Sequence, residues 1–370
     1  MYLRKRGNRW YYTIEERDKN GIRHRRERYG GQTRAEAAKA YRASKVEQDR
    51  TGQYFAPSTK KFGDYLYEWL EGEVIPGGKY NTISTYESII RTHLVPEFGN
   101  VKLCNLTTPM LQDYITSLRD TLAHSSLSSI LVVLKTSLRW AVANRRYLLV
   151  NPADNVRLPR CELRPVASKI FTPDQIVAIF DRYPQGHPLH MPLMLSYCTG
   201  MRLGECLALE WKNVDMDKRL IHVVGTSIDK CDNPIVAPPK TLASIRVVTF
   251  GQRLCQAFKN QKLWQSENRF HCGPYYVADP EHDFICTSES GKQLTSNNIK
   301  TFNVWAKKQF GLSFHSLRHT HASMLLEHGL PLDYVSKRLG HASIYTTANV
   351  YDTITDKREQ EAVSLMDAFL

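Results

Sequence analysis

The sequence predicts a multidomain α+β protein. We expect a small N-terminal β-sheet followed by a helix, an all-helical middle domain, and a mainly helical C-terminal domain with a small antiparallel sheet. Three observations support this. The 370 residues suffice for two or three domains. Aromatic and β-branched residues come before residue 30, and apolar residues recur at helical spacing from residue 62 onwards.

The first predicted domain, residues 1–55, begins with strands at residues 9–14 and 22–29. The sequence Asp-Lys-Asn-Gly at residues 18–21 is typical of a hairpin turn. Thr33 and Glu36 have capping-box spacing, which predicts a helix to about residue 50. Basic residues alternate along the second strand, so the sheet could enter a DNA groove; the alternative is a solvated charged face. The candidate DNA contacts here are Arg9, Tyr11, Arg23, Arg25 and Arg28.

The second predicted domain, residues 58–155, is helical. Phe62, Tyr65, Leu66 and Trp69 recur at the spacing of one helix face, and Pro-Gly-Gly at residues 76–78 interrupts the run. Further helices are predicted at about residues 82–94, 108–119 and 126–145. These apolar stripes are expected to form the domain core.

A basic linker is predicted over residues 156–170. Prolines at positions 159 and 165 should keep it extended. Arg160 and Arg164 are candidate contacts to a phosphate backbone, and an inert spacer is the alternative.

The third predicted domain covers residues 171–370. Thr172 and Gln175 have the spacing of a helix start, and a second helix over residues 188–198 should end at Gly200. Strands are predicted at residues 220–225 and 245–250. Helices are predicted at residues 252–264, 296–310 and 315–328, followed by an amphipathic helix over residues 356–370.

The net charge of +13 favours a polyanionic partner. Residues 1–60 contain sixteen Lys/Arg against seven Asp/Glu, so most of the excess is N-terminal. We expect no membrane span, since no stretch approaches about 20 apolar residues. The eight cysteines form no Cys-x-x-Cys pair, which argues against a zinc cage and a disulfide scaffold, so reduced thiols are expected. The clustered histidines near residue 320 lack a zincin glutamate, and no metal is predicted.

Five residues, in a fixed order along the chain, indicate the chemistry. Arg202 follows Thr-Gly, His315 and Arg318 share an i, i+3 spacing, His341 follows Leu-Gly, and Tyr351 lies ten residues later. Arginine presents a fork of donors that fits phosphate oxygens. Histidine can move a proton, and a tyrosine hydroxyl can attack phosphorus. Each piece alone could be ordinary surface, but together they indicate phosphoryl transfer on a nucleic acid backbone.

This set resembles the catalytic domain of the tyrosine recombinases, the integrases of phages and conjugative transposons. The resemblance implies that residues 1–55 bind arm-type DNA sites, residues 58–155 bind the core site, and residues 171–370 are catalytic. It implies a 3′-phosphotyrosyl intermediate on Tyr351, with Arg202 and Arg318 holding the phosphate and no metal, ATP or other cofactor. His315 and His341 would donate to the phosphate or carry the tyrosine proton.

Two further roles follow from the resemblance. Lys240 would protonate the departing 5′-oxygen, with Lys230 as its competitor because hairpin loops vary in length. Glu205 would orient an arginine or histidine beside it. Tyr345 is too close to His341 to match the nucleophile spacing. A type IB topoisomerase and a non-catalytic architectural DNA-binding protein are the alternative functions.

The partners implied are double-stranded DNA with core-type and arm-type sites, and three further copies of the chain in a homotetramer. An excision factor and a host DNA-bending protein are further expectations. The resemblance places the protein in the bacterial cytoplasm, associated with the nucleoid. It leaves open whether the mobile element is a phage, with viral genome integration, or a conjugative transposon. It also leaves open whether the C-terminal helix docks on its own domain or on a neighbour.

Overall fold

The computed structural model describes residues 2–17, 23–51, 58–159, 170–230, 233–238, 244–341 and 343–344. The chain divides into two compact units, residues 1–164 and 165–370. The subdivision of the first unit into an arm domain and a core-binding domain stays a prediction.

The N-terminal sheet has three antiparallel strands, β1 (Tyr2–Arg6), β2 (Arg9–Arg17) and β3 (Arg23–Gly31), with β2 in the middle. Helix α1 (Arg34–Thr51) follows, and the predicted capping box is present because Thr33 and Glu36 bond each other's backbone N–H. Tyr12 and Ile14 are buried on the face that packs against α1, where the Tyr12 hydroxyl bonds Ser44. Strand β1 was not predicted, since it is only five residues long and mostly charged. The predicted turn at residues 18–21 lies outside the described residues.

The helical part of this unit contains α2 (Phe62–Trp69), α3 (Ile75–Gly77), α4 (Tyr80–Ile89), α5 (Val95–Phe98), α6 (Thr108–Ser117) and α7 (His124–Ala143), with a 3₁₀ turn at Leu103–Asn105. Two π-helical turns, Leu70–Val74 and Ile90–Leu94, join α2 to α3 and α4 to α5. Each π turn precedes a proline, Pro76 or Pro96, which lacks an N–H for an ordinary helical bond. The predicted stripe of aromatic and aliphatic residues from Phe62 to Trp69 is buried in one core.

Two observations bear on what the sequence predicted for this region. Val156 is buried in the helical core and Leu158 packs against it, so the packed region extends three residues beyond the predicted boundary at 155. Helix α7 is long and apolar enough to cross a membrane by length and composition, although no such stretch was expected. Half of its apolar window is buried inside the protein, as in the core helix of a globular domain.

The C-terminal unit contains α8 (Pro173–Arg182), α9 (His190–Thr199), α10 (Leu203–Leu207), α11 (Gln252–Cys272), α12 (Ser296–Phe310), α13 (Phe314–Glu327) and α14 (Leu332–Leu339). Short 3₁₀ turns lie at Trp211–Asn213 and Gly273–Tyr275. Strands β4 (Val214–Asp215), β5 (Leu220–Val223) and β8 (Arg246–Thr249) form a three-stranded antiparallel sheet in the order β4-β5-β8.

A separate hairpin, β6 (Thr226–Lys230) with β7 (Asn233–Ala237), lies in sequence between β5 and β8, the two predicted strands of that sheet. This hairpin, α10 and α14 were not predicted: β6 is mostly polar, β7 contains a proline and α10 has only five residues, whereas α14 is as long as the predicted α2. Helix α11 extends eight residues beyond its predicted end at residue 264. The helix predicted over residues 356–370 lies outside the described part of the chain.

Candidate active site

Arg202 stands at the junction of two helices. Helix α9 ends at Thr199 and is capped by Gly200, whose φ of +72° lets the chain turn sharply into the start of α10. Glu205, in the first turn of α10, accepts bonds from the Arg202 backbone N–H and from its Nη1, both at 2.9 Å. This contact is the one that the orienting role predicted for Glu205 requires. The Arg202 side chain remains 37% exposed, so it is accessible to a substrate.

Arg318 lies in the second turn of α13 and is only 2% exposed. Its Nη1 donates to the carbonyl of Gly200 at 2.6 Å, and its Nη2 donates to the carbonyl of Leu339 at 2.7 Å. The guanidinium is therefore held between the end of α9 and the end of α14. Such double anchoring leaves little rotational freedom for the group.

Three successive carbonyls at the end of α14 accept bonds from three arginines. Arg246 Nε donates to Arg338 O at 2.7 Å, Arg318 donates to Leu339 O, and Arg202 Nη2 donates to Gly340 O at 3.1 Å. The last carbonyls of a helix lack intrahelical partners and carry partial negative charge. This helix end therefore gathers positive charge directly before His341. We call Arg338 O, Leu339 O and Gly340 O the carbonyl cluster.

The two predicted histidines lie close enough to the arginines to feel their charge. Burial, and then the charges of Arg318 and Arg202, lower the pKa of His315. The same causes in the same order lower the pKa of His341 to about 4. Both imidazoles are therefore neutral at pH 7. A neutral imidazole can accept the proton of a phenol or donate a hydrogen bond to a phosphate oxygen.

Glu205 is nearly buried, and two arginines balance its charge. Burial alone would raise the pKa of Glu205, but a hydrogen bond from Arg246 and the charges of Arg246 and Arg202 hold it below its usual value. Arg246 Nη2 lies 2.9 Å from Glu205 Oε2, and the Arg246 side chain is only 7% exposed. The carboxylate is thus ionised and forms bonds with both arginines.

A buried network that no sequence motif indicated fixes α14 itself. His321 Nδ1 donates to Tyr197 O at 2.9 Å, and Arg338 Nε donates to His321 Nε2 at 3.1 Å. Arg338 also bonds the side chain and carbonyl of Thr249. Burial and the Arg338 charge lower the pKa of His321 to about 3, so it is neutral. His315 and His319 are neighbours, with ring centroids 4.7 Å apart. Within the described part of the chain, no group of three or more His, Cys, Asp or Glu residues could hold a metal ion.

The structure leaves part of the predicted site undescribed. Lys240, Tyr351 and the decoy Tyr345 lie outside the described residues. Lys230 ends β6, where its backbone pairs with Asn233 at the hairpin tip. The choice between the two lysines therefore stays open.

The N-terminal sheet presents one open face. Tyr11 and Tyr29 meet edge to face at 5.8 Å, with Arg6 above Tyr11 and Arg25 paired with Glu15. Strand register places Arg9 on this same face and adds the arginines of β1. We call it the open sheet face; its members include Tyr2, Arg4, Arg6, Arg9, Tyr11, Arg25 and Tyr29.

Arg28 is the exception among the predicted contacts on this sheet. It pairs with the buried Tyr12 and is half-buried on the face that packs on α1. Its assignment to the same DNA-facing surface does not agree with the strand register, because successive side chains alternate between faces. The side chain of Arg23, and all of Arg160 and Arg164, lie outside the described part.

The fold presents a cluster of arginines and neutral histidines suited to binding a phosphate, and comparison with known proteins identifies its family. Residues 169–358 match the Phage integrase family, and residues 61–119 match the Phage integrase, N-terminal SAM-like domain. A tyrosine recombinase XerC-like protein of Caldanaerobacter subterraneus subsp. tengcongensis is 30% identical, over 96% of this chain and 94% of the relative. The chain belongs to the phage integrase family, and the prediction of a tyrosine recombinase is confirmed.

Other similar proteins agree. The ICEBs1 integrase of Bacillus subtilis is 28% identical over 79% of both chains. The Tn1549 transposon integrase, solved with transposon right end DNA, has a TM-score of 0.65 at 18% identity, over 82% of this chain and 99% of that chain. A lambda integrase dimer bound to a core site has a TM-score of 0.57 at 17% identity, over 96% and 95%. These structures share the fold, and the predicted fold class is confirmed.

Proposed function

We propose that this chain integrates and excises a mobile element by cutting and rejoining DNA at specific sites. Family membership supports the recombination reaction. The observation that carries the mechanism is the convergence of Arg202, Arg318, His315 and His341 around the end of α14. This arrangement concentrates positive charge and two neutral imidazoles beside Arg202. Because Arg202 is partly exposed, a phosphate can reach the cluster from solvent there.

In the proposed step, the Tyr351 hydroxyl oxygen attacks the scissile phosphorus. A phosphorus–oxygen bond to tyrosine forms, the bond to the 5′-oxygen breaks, and the 3′-phosphate stays on the enzyme. His315 or His341 takes the phenol proton, and Lys240, or Lys230 in its place, gives a proton to the departing 5′-oxygen. Arg202 and Arg318 stabilise the charge that develops on the phosphate oxygens. A 5′-hydroxyl from the partner strand reverses the step, so no ATP is consumed.

The DNA partners are proposed from the charged surfaces. The open sheet face combines arginines and tyrosines on three strands, which suits a DNA groove and makes it our candidate for arm-type sites. The linker, with Arg160 and Arg164, is proposed to follow the phosphate backbone beside the core-type site. Solved structures of relatives include a Tn1549 integrase with DNA and a lambda integrase tetramer bound to a Holliday junction. We infer that this chain also acts as a homotetramer.

The helix predicted over residues 356–370 is proposed to couple neighbours in that tetramer. An excision factor and a host DNA-bending protein are proposed to set direction and geometry. The protein is proposed to act in the bacterial cytoplasm, on DNA of the nucleoid.

The test is covalent trapping on a nicked substrate that carries the element's own attachment site. Wild-type protein should accumulate a protein–DNA adduct without ATP or added metal. Tyr351→Phe should bind the same DNA and form none, because only the nucleophilic oxygen is lost. Tyr345→Phe is the matched control and should form the adduct. Adduct formation by Tyr351→Phe would move the nucleophile elsewhere, and efficient cutting of unrelated DNA would favour a topoisomerase instead.

A further inference from the structure

Arg246 lies outside the predicted catalytic set, yet it is bonded through every nitrogen of its guanidinium. Nη2 donates to Glu205 Oε2 at 2.9 Å, Nε donates to Arg338 O at 2.7 Å, and Nη1 donates to Ser244 O at 3.1 Å. Its side chain is 7% exposed. Each of its three guanidinium nitrogens thus donates to an acceptor within the protein, which fixes the group between Glu205 and the end of α14.

These bonds connect Arg246 to both sides of the catalytic cluster. On one side, Glu205 holds Arg202 through its backbone N–H and its Nη1. On the other side, Arg338 O is the first member of the carbonyl cluster, whose next two members accept Arg318 and Arg202. Arg246 is therefore connected to Arg202 in two ways, by hydrogen bonds through the Glu205 carboxylate and by hydrogen bonds to the carbonyls at the end of α14.

The chemistry of each route depends on the Arg246 charge. Without a cation beside it, the buried carboxylate of Glu205 would be stabilised by Arg202 alone, which would draw that guanidinium toward Glu205 and away from substrate. The carbonyl of Arg338 is one of the unpaired carbonyls at a helix end, and a cation there stabilises the end of the helix. Residue 341 follows that end directly, so the same bond also bears on the placement of His341.

We propose that Arg246 is a positioning residue for strand cleavage, which sets the orientation of Arg202 and the placement of His341 through Glu205 and the carbonyl cluster. The inference rests on the proposed function. Arg246 does not bind the scissile phosphate in this scheme. Its loss should therefore slow the chemical step and leave DNA affinity almost unchanged.

The test compares Arg246→Lys and Arg246→Gln with wild-type protein on the nicked attachment-site substrate. Lysine keeps the charge but has a single ammonium group, which cannot span Glu205 and Arg338 O as the fork does. We expect both variants to bind DNA with the wild-type Kd and to cleave at saturating DNA about 10- to 100-fold more slowly, with Lys the less affected. Arg182→Gln is the control, since it removes an exposed arginine of the same unit that stacks on Trp305.

A double-mutant cycle separates positioning from a general structural role. Arg202→Lys keeps a charge and hence measurable cleavage. If Arg246 acts through Arg202, adding Arg246→Lys to it should slow cleavage by much less than in the wild-type background. Combined with Arg182→Gln, Arg202→Lys should show no such coupling. Thermal melts identify any variant that is unfolded at the assay temperature.

The outcomes are distinct. Wild-type cleavage rates in a folded Arg246→Lys protein, or full multiplication of the two defects in the double variant, would overturn the inference and leave the proposed function standing. Absence of an adduct with wild-type protein would overturn the proposed function itself. A weaker Kd accompanied by an unchanged maximal cleavage rate would assign Arg246 to DNA binding instead.

Discussion

Arginines serve in two contrasting ways in the two units of this chain. At the end of α14, Arg246 and Arg318 are 7% and 2% exposed and bond carbonyls or a carboxylate at 2.6 to 3.1 Å. On the open sheet face, Arg6 and Arg25 are 56% and 79% exposed, each paired with one glutamate. The same side chain is immobilised in one place and left in solvent in the other.

The difference follows from what each surface has to bind. Hydrogen-bond donors stabilise a transition state most when they are already oriented, because no reorganisation is then needed during the reaction. Binding to a phosphate backbone is strengthened by many mobile positive charges, because they displace counterions from the DNA. Such binding weakens steeply as the salt concentration rises. Exposed pairs contribute little to folding, whereas buried charges must be fully bonded. The contrast predicts that substitutions in the two regions will affect different observables.

The largest effect is expected for Arg202→Gln. Loss of a positively charged donor to the scissile phosphate should lower the single-turnover cleavage rate about 100- to 1000-fold. Arg25→Gln is the matched substitution on the open sheet face, and it should leave cleavage of a core-type substrate unchanged. Equal cleavage by Arg202→Gln and wild type would remove the distinction between the two sets of arginines.

Gly200→Ala tests whether the anchoring of Arg318 depends on close packing. A Cβ at Gly200 would lie 2.5 Å from Leu339 Cδ2 and 2.8 Å from His321 Cδ2, at a φ of +72°. Gly311 shares that φ, but a Cβ there would have nothing within 4 Å, so Gly311→Ala isolates backbone strain. We expect Gly200→Ala to lower the free energy of unfolding by about 1–3 kcal/mol more than the control. Equal losses in denaturant melts would show that the crowding is relieved without cost.

The pH dependence of stability tests the buried histidine beneath the arginines. The pKa of His321 falls from 6.5 to about 3 on folding, so the unfolded chain alone takes up a proton between those values. The contribution of His321 to stability is therefore fully present above pH 6.5 and is lost progressively as the pH falls toward 3. Between pH 8 and pH 5 this one group should cost about 2 kcal/mol. Burial lowers the pKa of His315 and His341 in the same direction.

The variant His321→Gln should be less stable at pH 8 but should lose less stability on acidification. Denaturant melts at pH 8 and pH 5 provide the measurement. A variant with the full wild-type pH dependence would show that other groups cause it.

The smallest effect is expected on the open sheet face. Arg25→Gln should reduce the slope of log affinity against log salt by about one for an arm-type site. Arg28→Gln, on the opposite face of the same strand, should leave the slope near its wild-type value. The measurement is a salt titration of binding by residues 1–370 to the arm-type site. Equal changes in both variants would contradict the assignment of DNA contact to one face.

Much of the architecture was predictable because it depends on local patterns. The spacing from Phe62 to Trp69 predicted a buried helix face, and Thr33 with Glu36 predicted the start of α1; the structure shows both. The helix over Ser296–Phe310 was predicted to the residue. Elements with weak local patterns were not predicted: β1 is mostly charged, β6 has one apolar residue among five, β7 contains a proline and α10 is only five residues long. Helix α14 was not predicted either, although it is as long as the predicted α2.

For the candidate active site, too, local sequence predicted some features and only the tertiary structure decided others. Residue type and spacing, with the family resemblance that they support, predicted Arg202, His315, Arg318 and His341 as site residues, because few side chains suit phosphate chemistry. Only the tertiary structure decided that three arginines share the carbonyls at the end of α14, and that Arg246 stands behind Glu205. Backbone carbonyls carry no sequence signature, and their alignment arises where helix ends meet. Register likewise turned Arg28 away from the open sheet face, because pairing between strands, and not composition, sets which side each residue faces.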